Sequence, residues 1–250
     1  MEFFYGLGTN SIEKSFDWSN KNAMISAALL YRKDKFNVPY RPPVKKLWLD
    51  SGGYRFFSRN GDYPFSELEY VEFIRKFNPD YVSVMDLPCE PQLSQGDENY
   101  KRIDITVKRT KTLLHNKING VWIPVLQGYE LREYQYCIEQ LSDVLEQYRY
   151  IAIGSMCCRV SIKSVKELLV FVRKKLPNHL LHGFGVDRRL LRNPLIYNTL
   201  ESADSTAWSM AHGQEYQYAK SPEDLKTGFV NFSTDIENLH RGPIDLWVGE

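Results

Sequence analysis

Short apolar runs alternate with helix-length amphipathic segments along most of this chain, and this alternation restricts its fold more than any other feature. The apolar runs, interpreted as buried strands, are residues 3–7, 47–49, 81–85, 121–126, 150–153 and 180–181. The segments with helical periodicity are residues 66–77, 97–115, 130–147 and 161–176. Strands and helices that alternate at about 20–40 residues per unit are typical of parallel strands joined by right-handed crossovers. The pattern therefore predicts an α/β fold built on a parallel sheet.

The length of the chain, 250 residues, is typical of one TIM-like (β/α)8 barrel. Six strand–helix units can be counted, the last with its strand at residues 201–203, and residues 3–7 supply a further strand. The eighth strand is not obvious, and residues 227–233 (TGFVNFS) are one candidate. Because no low-complexity stretch or linker divides the chain, we predict a single barrel domain over residues 1–250.

Composition gives expectations about location and cofactors. No apolar run approaches the roughly 18 residues that a membrane span needs, and the N-terminus lacks the basic start and apolar stretch of a secretion signal. We therefore expect a cytoplasmic protein without membrane contact. The four cysteines show neither a C-x-x-C pair nor a ligand-like spacing with histidine, so we expect reduced thiols, no metal and no cofactor. The disfavoured alternative is a metal held by Cys89, Cys157, Cys158 and His182.

Basic side chains are concentrated in residues 31–46, although the net charge of +1 does not by itself indicate a nucleic-acid-binding protein. Tyrosine and phenylalanine are interleaved with these lysines and arginines. Basic groups attract phosphates, and aromatic rings can stack on bases. The residues predicted to contact nucleic acid are Lys33, Lys35 and Lys45 in this segment and Arg159, Arg188 and Arg189 elsewhere. The alternative is a set of solvated side chains, in a proline-rich loop for the first three.

Small or ionisable residues follow each of six successive strands. They begin the motifs DSGGY (50–54), DLPCEP (86–91), QGY (127–129), GSM (154–156), HGFG (182–185) and DSTAW (204–208). In a (β/α) barrel the carboxyl ends of the strands meet at one face, where active sites form. Turn chemistry explains one such residue, but it explains three carboxylates, an amide and paired glycines at consecutive strand ends less easily. We predict an active site at this face.

Three aspartates and one glutamine at these ends suit the transfer of a glycosyl group. One carboxylate can attack a sugar carbon and form a covalent intermediate, and a second can protonate the departing base and deprotonate the incoming one. A third carboxylate with an amide suits guanine, whose N1–H and 2-amino group are donors and whose O6 is an acceptor. Chemistry alone leaves open which aspartate has which role.

The series DSGGY, MDLPCEP, PVLQGY, IAIGSMCCR, LHGFGV and ADSTAW, in this order over about residues 47–210, resembles the guanine transglycosylase superfamily. The similarity is greatest to its compact DNA-modifying branch, the DpdA-like enzymes. The resemblance implies that Asp204 is the nucleophile and Asp50 the general acid/base. The positions that match guanine recognition are Asp86, Gln127, Gly128, Gly154, Ser155 and Met156. We expect Gly53, Tyr54, His182 and Trp208 to border the same pocket, the two aromatic residues by stacking on the base or by forming its wall.

The chain departs from the tRNA-acting bacterial members of this superfamily in two places. Their zinc subdomain, marked by a C-x-C-x-x-C run, has no counterpart in this sequence, and the segment after Asp204 reads STAWSMA. Both differences favour DNA as the substrate. The resemblance thus implies exchange of guanine in DNA for a 7-deazaguanine such as a 7-cyano or 7-aminomethyl form.

Two alternatives stay open at this point. One is the same exchange on tRNA, and the other is a non-catalytic nucleic-acid-binding barrel. Retention of both Asp50 and Asp204 argues against the second, because a protein that only binds needs neither. The sequence leaves undecided whether the protein is a homodimer or works with a helper protein that opens the duplex.

Overall fold

A computed structural model describes residues 1–8, 17–38, 40–93, 98–159, 161–208 and 222–239 of the chain. Its strands are β1 (Glu2–Leu7), β2 (Asn22–Ser26), β3 (Tyr31–Arg32), β4 (Lys35–Phe36), β5 (Lys46–Asp50), β6 (Tyr81–Ser83), β7 (Val121–Ile123), β8 (Val125–Leu126), β9 (Tyr150–Ile153), β10 (Leu180–Gly183) and β11 (Ser202–Ser205). Its helices are α1 (Ala27–Leu30), α2 (Gly53–Asn60), α3 (Glu67–Phe77), α4 (Glu98–Leu114), α5 (Leu131–Gln140), α6 (Ser142–Leu145), α7 (Ile162–Lys175), α8 (Arg188–Leu191), α9 (Pro194–Thr199) and α10 (Pro222–Glu237). A short 3₁₀ helix covers Pro91–Leu93.

The main sheet is parallel and has the order β7-β6-β5-β2-β1-β11-β10-β9-β8. Its two outermost segments, β7 and β8, are the halves of one strand that is interrupted at Pro124. Proline has no N–H to donate to a neighbouring strand, but the Pro124 carbonyl still accepts a hydrogen bond from the Ala152 amide at 2.9 Å. With β7 paired to β6 and β8 paired to β9, the sheet closes into an eight-stranded barrel. The predicted TIM-like (β/α)8 fold is confirmed.

Aromatic rings fill the interior of the barrel below its mouth. Trp48 is fully buried, and its ring centroid lies 5.2 Å from that of Phe4, 5.4 Å from that of Tyr81 and 5.7 Å from that of Tyr150. Its indole N–H donates to the Ser83 hydroxyl at 2.8 Å, so the polar edge of the ring is also satisfied. A packed interior of this kind leaves room for a ligand only at the carboxyl ends of the strands.

The four predicted helices are present, with the segment 130–147 divided into α5 and α6 by Leu141. The local sequence explains where they begin. Ser66 accepts a hydrogen bond from the Glu69 amide while the Glu69 carboxylate accepts one from the Ser66 amide, a capping box that starts α3. Among the described helices, none is long and apolar enough to cross a membrane.

The prediction for the eighth strand was wrong. Residues 227–233 lie in α10, and the missing strand is β2, between β1 and β5. Phe229 and Phe232 are buried against the outside of β1 whereas Val230 is half exposed, a spacing that fits a helix and not a strand. The aromatic residues of this segment therefore pack a helix against the outside of the barrel.

Candidate active site

One cavity of about 350 Å³ opens at the carboxyl ends of the strands, a volume within the range of roughly 300–1,000 Å³ for small-molecule sites. The end of every barrel strand, or the loop that follows it, contributes to its lining. The lining residues include Gly6, Ser26, Asp50, Asp86, Gln127, Gly154, Ser155, Gly185 and Asp204. The structure therefore brings together the three aspartates and the glutamine that the sequence singled out.

Asp86 and Gln127 form one wall of this cavity and are both buried. The Gln127 amide group donates to Asp86 Oδ2 at 2.5 Å, and the Ser51 hydroxyl donates to Asp86 Oδ1 at 2.7 Å. The Gln127 amide oxygen in turn accepts from the Ser155 hydroxyl at 2.8 Å. Burial raises the pKa of Asp86 above its ordinary value, although the hydrogen bonds from Ser51 and Gln127 oppose this rise. The wall thus presents fixed hydrogen-bonding groups at defined positions.

Two glycines allow this wall to form. A Cβ atom at Gly154 would collide with the side chain of Gln127, and one at Gly53 would collide with the backbone oxygen of Asp86. Gly53 begins α2 directly behind β5, so the loop after β6 can approach it closely. At Gly53 the obstacle is backbone, so glycine is required there, whereas a side chain at Gly154 would displace Gln127 from its hydrogen bond with Asp86.

Asp50 ends β5 and lies in register with Ser26 at the end of β2. Its carboxylate accepts a hydrogen bond from the Gly52 amide at 3.1 Å. Burial, together with the negative charges of Asp86 and Asp204, raises the pKa of Asp50 to about 7. A carboxyl group with such a pKa can release and take up a proton near neutral pH, which general acid–base catalysis requires.

Asp204 is held by donors from a neighbouring strand and loop. The Gly185 amide donates to Asp204 Oδ1 at 2.8 Å, and His182 Nε2 lies 3.2 Å from the same oxygen. His182 Nδ1 lies 2.6 Å from the Ser202 hydroxyl. Burial lowers the pKa of His182, so the ring is neutral and carries one N–H. Since the carboxylate only accepts, that N–H is on Nε2 and points at Asp204.

The other predicted pocket residues divide into two groups. Gly53 and Tyr54 line the cavity, and Tyr54 is 42% exposed at its edge. The residues buried behind the lining are Gly128, Met156, His182 and Trp208. Trp208 packs edge-on against Trp18 and donates its N–H to the Gly6 carbonyl at 2.8 Å. These four residues therefore support the cavity from behind.

The basic residues predicted to contact nucleic acid do not share one surface. Arg159 is buried, and its guanidinium donates to the Ser155 carbonyl, the Ser164 hydroxyl and the Tyr129 carbonyl. Arg159 therefore stabilises the loop after β9. Arg188 forms an ion pair with Asp235 of α10. Arg189 is exposed and paired with its neighbour Asp187.

Lys33 and Lys35 are exposed on the β3–β4 hairpin. Lys33 and Asp34 have positive φ angles of 53° and 57°, as a tight two-residue hairpin turn requires. A second, surface cavity includes both lysines, and Leu29 lines this cavity as well as the first one. Lys45, in contrast, directly precedes β5, whose opposite end is Asp50. A five-residue strand spans about 16 Å, so Lys45 lies at the far end of the barrel from the cavity.

The cavity residues that were not predicted from the sequence include Ser26, Glu90, Cys157, Phe184 and Thr206. Ser26 was missed together with its strand. Glu90, Phe184 and Thr206 lie within strand-end motifs and Cys157 directly follows one, so position at a strand end was the available signal. Glu90 is the one that adds a fourth carboxyl group to the cavity.

The disfavoured metal site at Cys89, Cys157, Cys158 and His182 does not assemble. Among the described residues, the group whose ligand atoms lie within 4.8 Å of one another is Glu90, Cys157 and Cys158, without Cys89 or His182. Cys89 is buried, and its backbone amide donates to the Ser155 hydroxyl.

Similarity to known proteins identifies the family of this chain. Residues 24–220 match the sequence model of a family described as DpdA, DeoxyPurine in DNA protein A. A curated relative, the tRNA-guanine(15) transglycosylase of Sulfolobus acidocaldarius, is 27% identical over 118 residues, which cover 44% of this chain and 23% of that protein. The chain thus matches less than a quarter of that relative's length. Since the family match covers well over half of the chain and includes every strand-end motif, this chain belongs to the DpdA family of the guanine transglycosylase superfamily.

Proposed function

We propose that this chain exchanges a guanine base in DNA for a 7-deazaguanine, with Asp204 as the nucleophile. The observation that carries the proposal is the placement of Asp50, Asp86, Gln127 and Asp204 around one cavity at the barrel mouth. Membership of a family described by deoxypurines in DNA supports DNA as the polymer. The distant similarity to a tRNA-guanine transglycosylase supports the type of reaction.

In the first half of the proposed reaction, an Asp204 carboxylate oxygen attacks C1′ of the target nucleotide while the bond from C1′ to N9 of guanine breaks. The departing base receives the proton of Asp50, whose pKa of about 7 leaves it substantially protonated at neutral pH. The Gly185 amide and neutral His182 hold Asp204 in one orientation without neutralising its charge. The product is a covalent sugar ester of Asp204 and a free guanine.

In the second half, a 7-deazaguanine occupies the place of guanine and gives its N9 proton to the Asp50 carboxylate. N9 then attacks C1′, and Asp204 leaves as a carboxylate, so the energy of the glycosidic bond is conserved without ATP. Asp50 is protonated again at the end of the cycle. The same two carboxyl groups therefore serve both halves, in opposite directions.

Recognition of both bases falls to the wall of Asp86 and Gln127. Asp86 is suited to accept from N1–H and the 2-amino group of guanine, and the Gln127 amide N–H is suited to donate to O6. Because guanine and 7-deazaguanine share this edge, one wall serves the departing and the arriving base. The target nucleotide must leave the helical stack to reach the cavity, at a cost of a few kcal/mol when the DNA is a duplex.

The direct test is incorporation of a labelled base by the purified protein. We expect labelled guanine to enter DNA, and unlabelled 7-deazaguanine to displace it, whereas tRNA in a parallel reaction remains unlabelled. Acid-precipitable counts and nucleoside mass spectrometry measure both outcomes. Labelling confined to tRNA contradicts the choice of polymer and favours the second candidate, exchange on tRNA, which the name of the curated relative supports.

A second prediction concerns the β3–β4 hairpin, whose lysines line a surface cavity that shares Leu29 with the active-site cavity. If Lys33 and Lys35 bind phosphates, the double variant K33A/K35A lowers the slope of log affinity against log salt, by about 0.7–0.9 for each phosphate that the protein no longer neutralises. Fluorescence anisotropy of labelled DNA at several salt concentrations measures this slope. The matched control is K45A, which removes a lysine at the far end of the barrel and is expected to leave the slope unchanged. Equal slopes for all three proteins contradict phosphate binding at the hairpin.

A further inference from the structure

Glu90 is a buried carboxyl group that the proposed exchange does not use. It is 2% exposed, yet it lines the cavity. The Cys157 thiol donates to its Oε1 at 3.6 Å, but its buried Oε2 has no hydrogen-bond partner among the described residues. A buried acceptor without a donor is costly unless a ligand supplies the donor. A molecule bound in the cavity is therefore expected to donate a hydrogen bond to Glu90 Oε2.

Along the wall that begins with Asp86 and Gln127, Glu90 follows Ser155. Ser155 connects Gln127 to the loop that contains Glu90. Its hydroxyl donates to Gln127 and accepts from the amide of Cys89, the residue before Glu90. Burial raises the pKa of Glu90, and the hydrogen bond from the Cys157 thiol opposes this rise. The order of groups along the wall is thus Asp86, Gln127, Ser155, Glu90.

This order corresponds to the order of groups around a 7-deazaguanine. Its 2-amino group and N1–H come first, O6 is next, and the substituent on C7 follows O6 on the same side of the ring. With the donors facing Asp86 and O6 facing Gln127, as the proposed function requires, the C7 substituent reaches the part of the wall formed by Ser155 and Glu90. Guanine itself has no substituent there, so a group at this part of the wall can distinguish among arriving bases.

The charge of the cavity decides which kind of substituent fits. Four carboxyl groups line it, at Asp50, Asp86, Glu90 and Asp204, whereas Arg55 is the only lysine or arginine among the described lining residues and is exposed. A cavity with this excess of acidic groups favours a cationic substituent over a neutral one. A nitrile has no proton for Glu90 Oε2, while a protonated primary amine has three.

We propose that Glu90 binds the C7 substituent of the incoming base and selects a 7-deazaguanine that carries a primary amine, such as the 7-aminomethyl form, over the 7-cyano form. This inference rests on the proposed base exchange. Contact with the ammonium group brings the Glu90 carboxyl back to its ionised form, because an opposite charge lowers the pKa of a carboxyl group. The resulting charge-assisted hydrogen bond replaces the partner that Oε2 lacks.

The test compares three bases within each variant, so that any general loss of activity cancels. Purified wild-type protein, E90Q and E90D exchange labelled guanine in DNA for 7-aminomethyl-7-deazaguanine, 7-cyano-7-deazaguanine or unlabelled guanine, and kcat/KM is measured for each. We expect wild type to prefer the amine, and E90Q to lower the ratio of amine to cyano efficiency by about 10- to 100-fold, the worth of a hydrogen bond to a charged group. E90D keeps the charge and is expected to retain part of the preference.

A preference of wild type for the cyano form, or an unchanged ratio in E90Q, overturns the role of Glu90 while leaving the proposed exchange intact. Wild-type protein that exchanges no base, including guanine, contradicts the proposed exchange itself. If E90Q exchanges no base, calorimetric affinities of the free bases decide. A lower ratio of 7-aminomethyl to 7-cyano affinity in E90Q than in wild type then supports the proposal. An equal ratio in the two proteins overturns it.

Discussion

The variant D204N is expected to lose base exchange by at least about 10³-fold and to form no covalent complex with DNA, while it still binds DNA. An amide oxygen is a poor nucleophile, so no sugar ester can form at this position. The replacement is nearly isosteric and retains an oxygen that can accept from the Gly185 amide, so the fold is preserved. A denaturing gel of protein mixed with DNA and 7-deazaguanine measures the complex, and anisotropy measures binding.

A matched control is D143N, which removes an exposed aspartate paired with Lys111 outside the cavity. This variant is expected to exchange bases and to form the covalent complex as wild type does. A covalent complex that survives D204N identifies another residue as the nucleophile. Undiminished exchange by D204N contradicts the entire interpretation of the site.

The variant D50N is expected to be about 10²–10⁴-fold less active, the usual contribution of a positioned proton donor. For wild type, kcat/KM for the polynucleotide is expected to fall as pH rises above about 7, because Asp50 must be protonated when guanine departs. A substrate that needs no proton provides the control. DNA that contains 7-methylguanine carries a positively charged base, so D50N should still form the Asp204 ester on it. Equal defects on both substrates would show that Asp50 does not act as the acid.

The same residue affects stability, with a direction that follows from its pKa. The pKa is about 7 in the folded chain and near its ordinary value of 3.8 in the unfolded chain. Between these pH values the unfolded state releases a proton that the folded state keeps, so the free energy of unfolding falls as pH rises from about 4 to 7. D50N has no carboxyl group to titrate at this position, so its free energy of unfolding does not fall in this way. The free energy of unfolding of D50N relative to that of wild type should therefore rise by roughly 2–4 kcal/mol over that interval. Urea denaturation at pH 4 and pH 8 measures the difference.

The sequence predicted the barrel because most strands are continuous apolar runs, which is typical of strands that are buried on both faces. The strand β2 was missed for the opposite reason. Its sequence, NAMIS, begins with a polar residue and ends with Ser26, which lies at the cavity. The apolar residues of β2 are followed, after Ser26, by the apolar helix α1 (AALL), so the strand does not stand out as a separate apolar run.

The three aspartates and Gln127 could be located from the sequence because each directly follows an apolar run. The linear sequence does not show which of the strand-end residues reach the cavity surface and which are buried behind it. His182 and Met156 belong to strand-end motifs like the lining residues do, yet both are buried behind the cavity surface. Glu90, four residues beyond Asp86, reaches the cavity because the loop after β6 turns back towards Ser155. Such differences depend on loop conformation, which residue spacing does not determine.

The position of Asp204 in the chain has a consequence for biosynthesis. It lies on β11, which pairs with the first strand, β1, on one side and with β10 on the other, so Asp204 stands in register with Phe4. During translation the other seven barrel strands leave the ribosome before β11 does. Until then the carboxyl groups of Asp50 and Asp86 can be in place, but the gap between β1 and β10 remains open. Asp204, the proposed nucleophile, is thus the last of the four cavity carboxyl groups to be synthesised, and a nascent or truncated chain that ends before β11 lacks it.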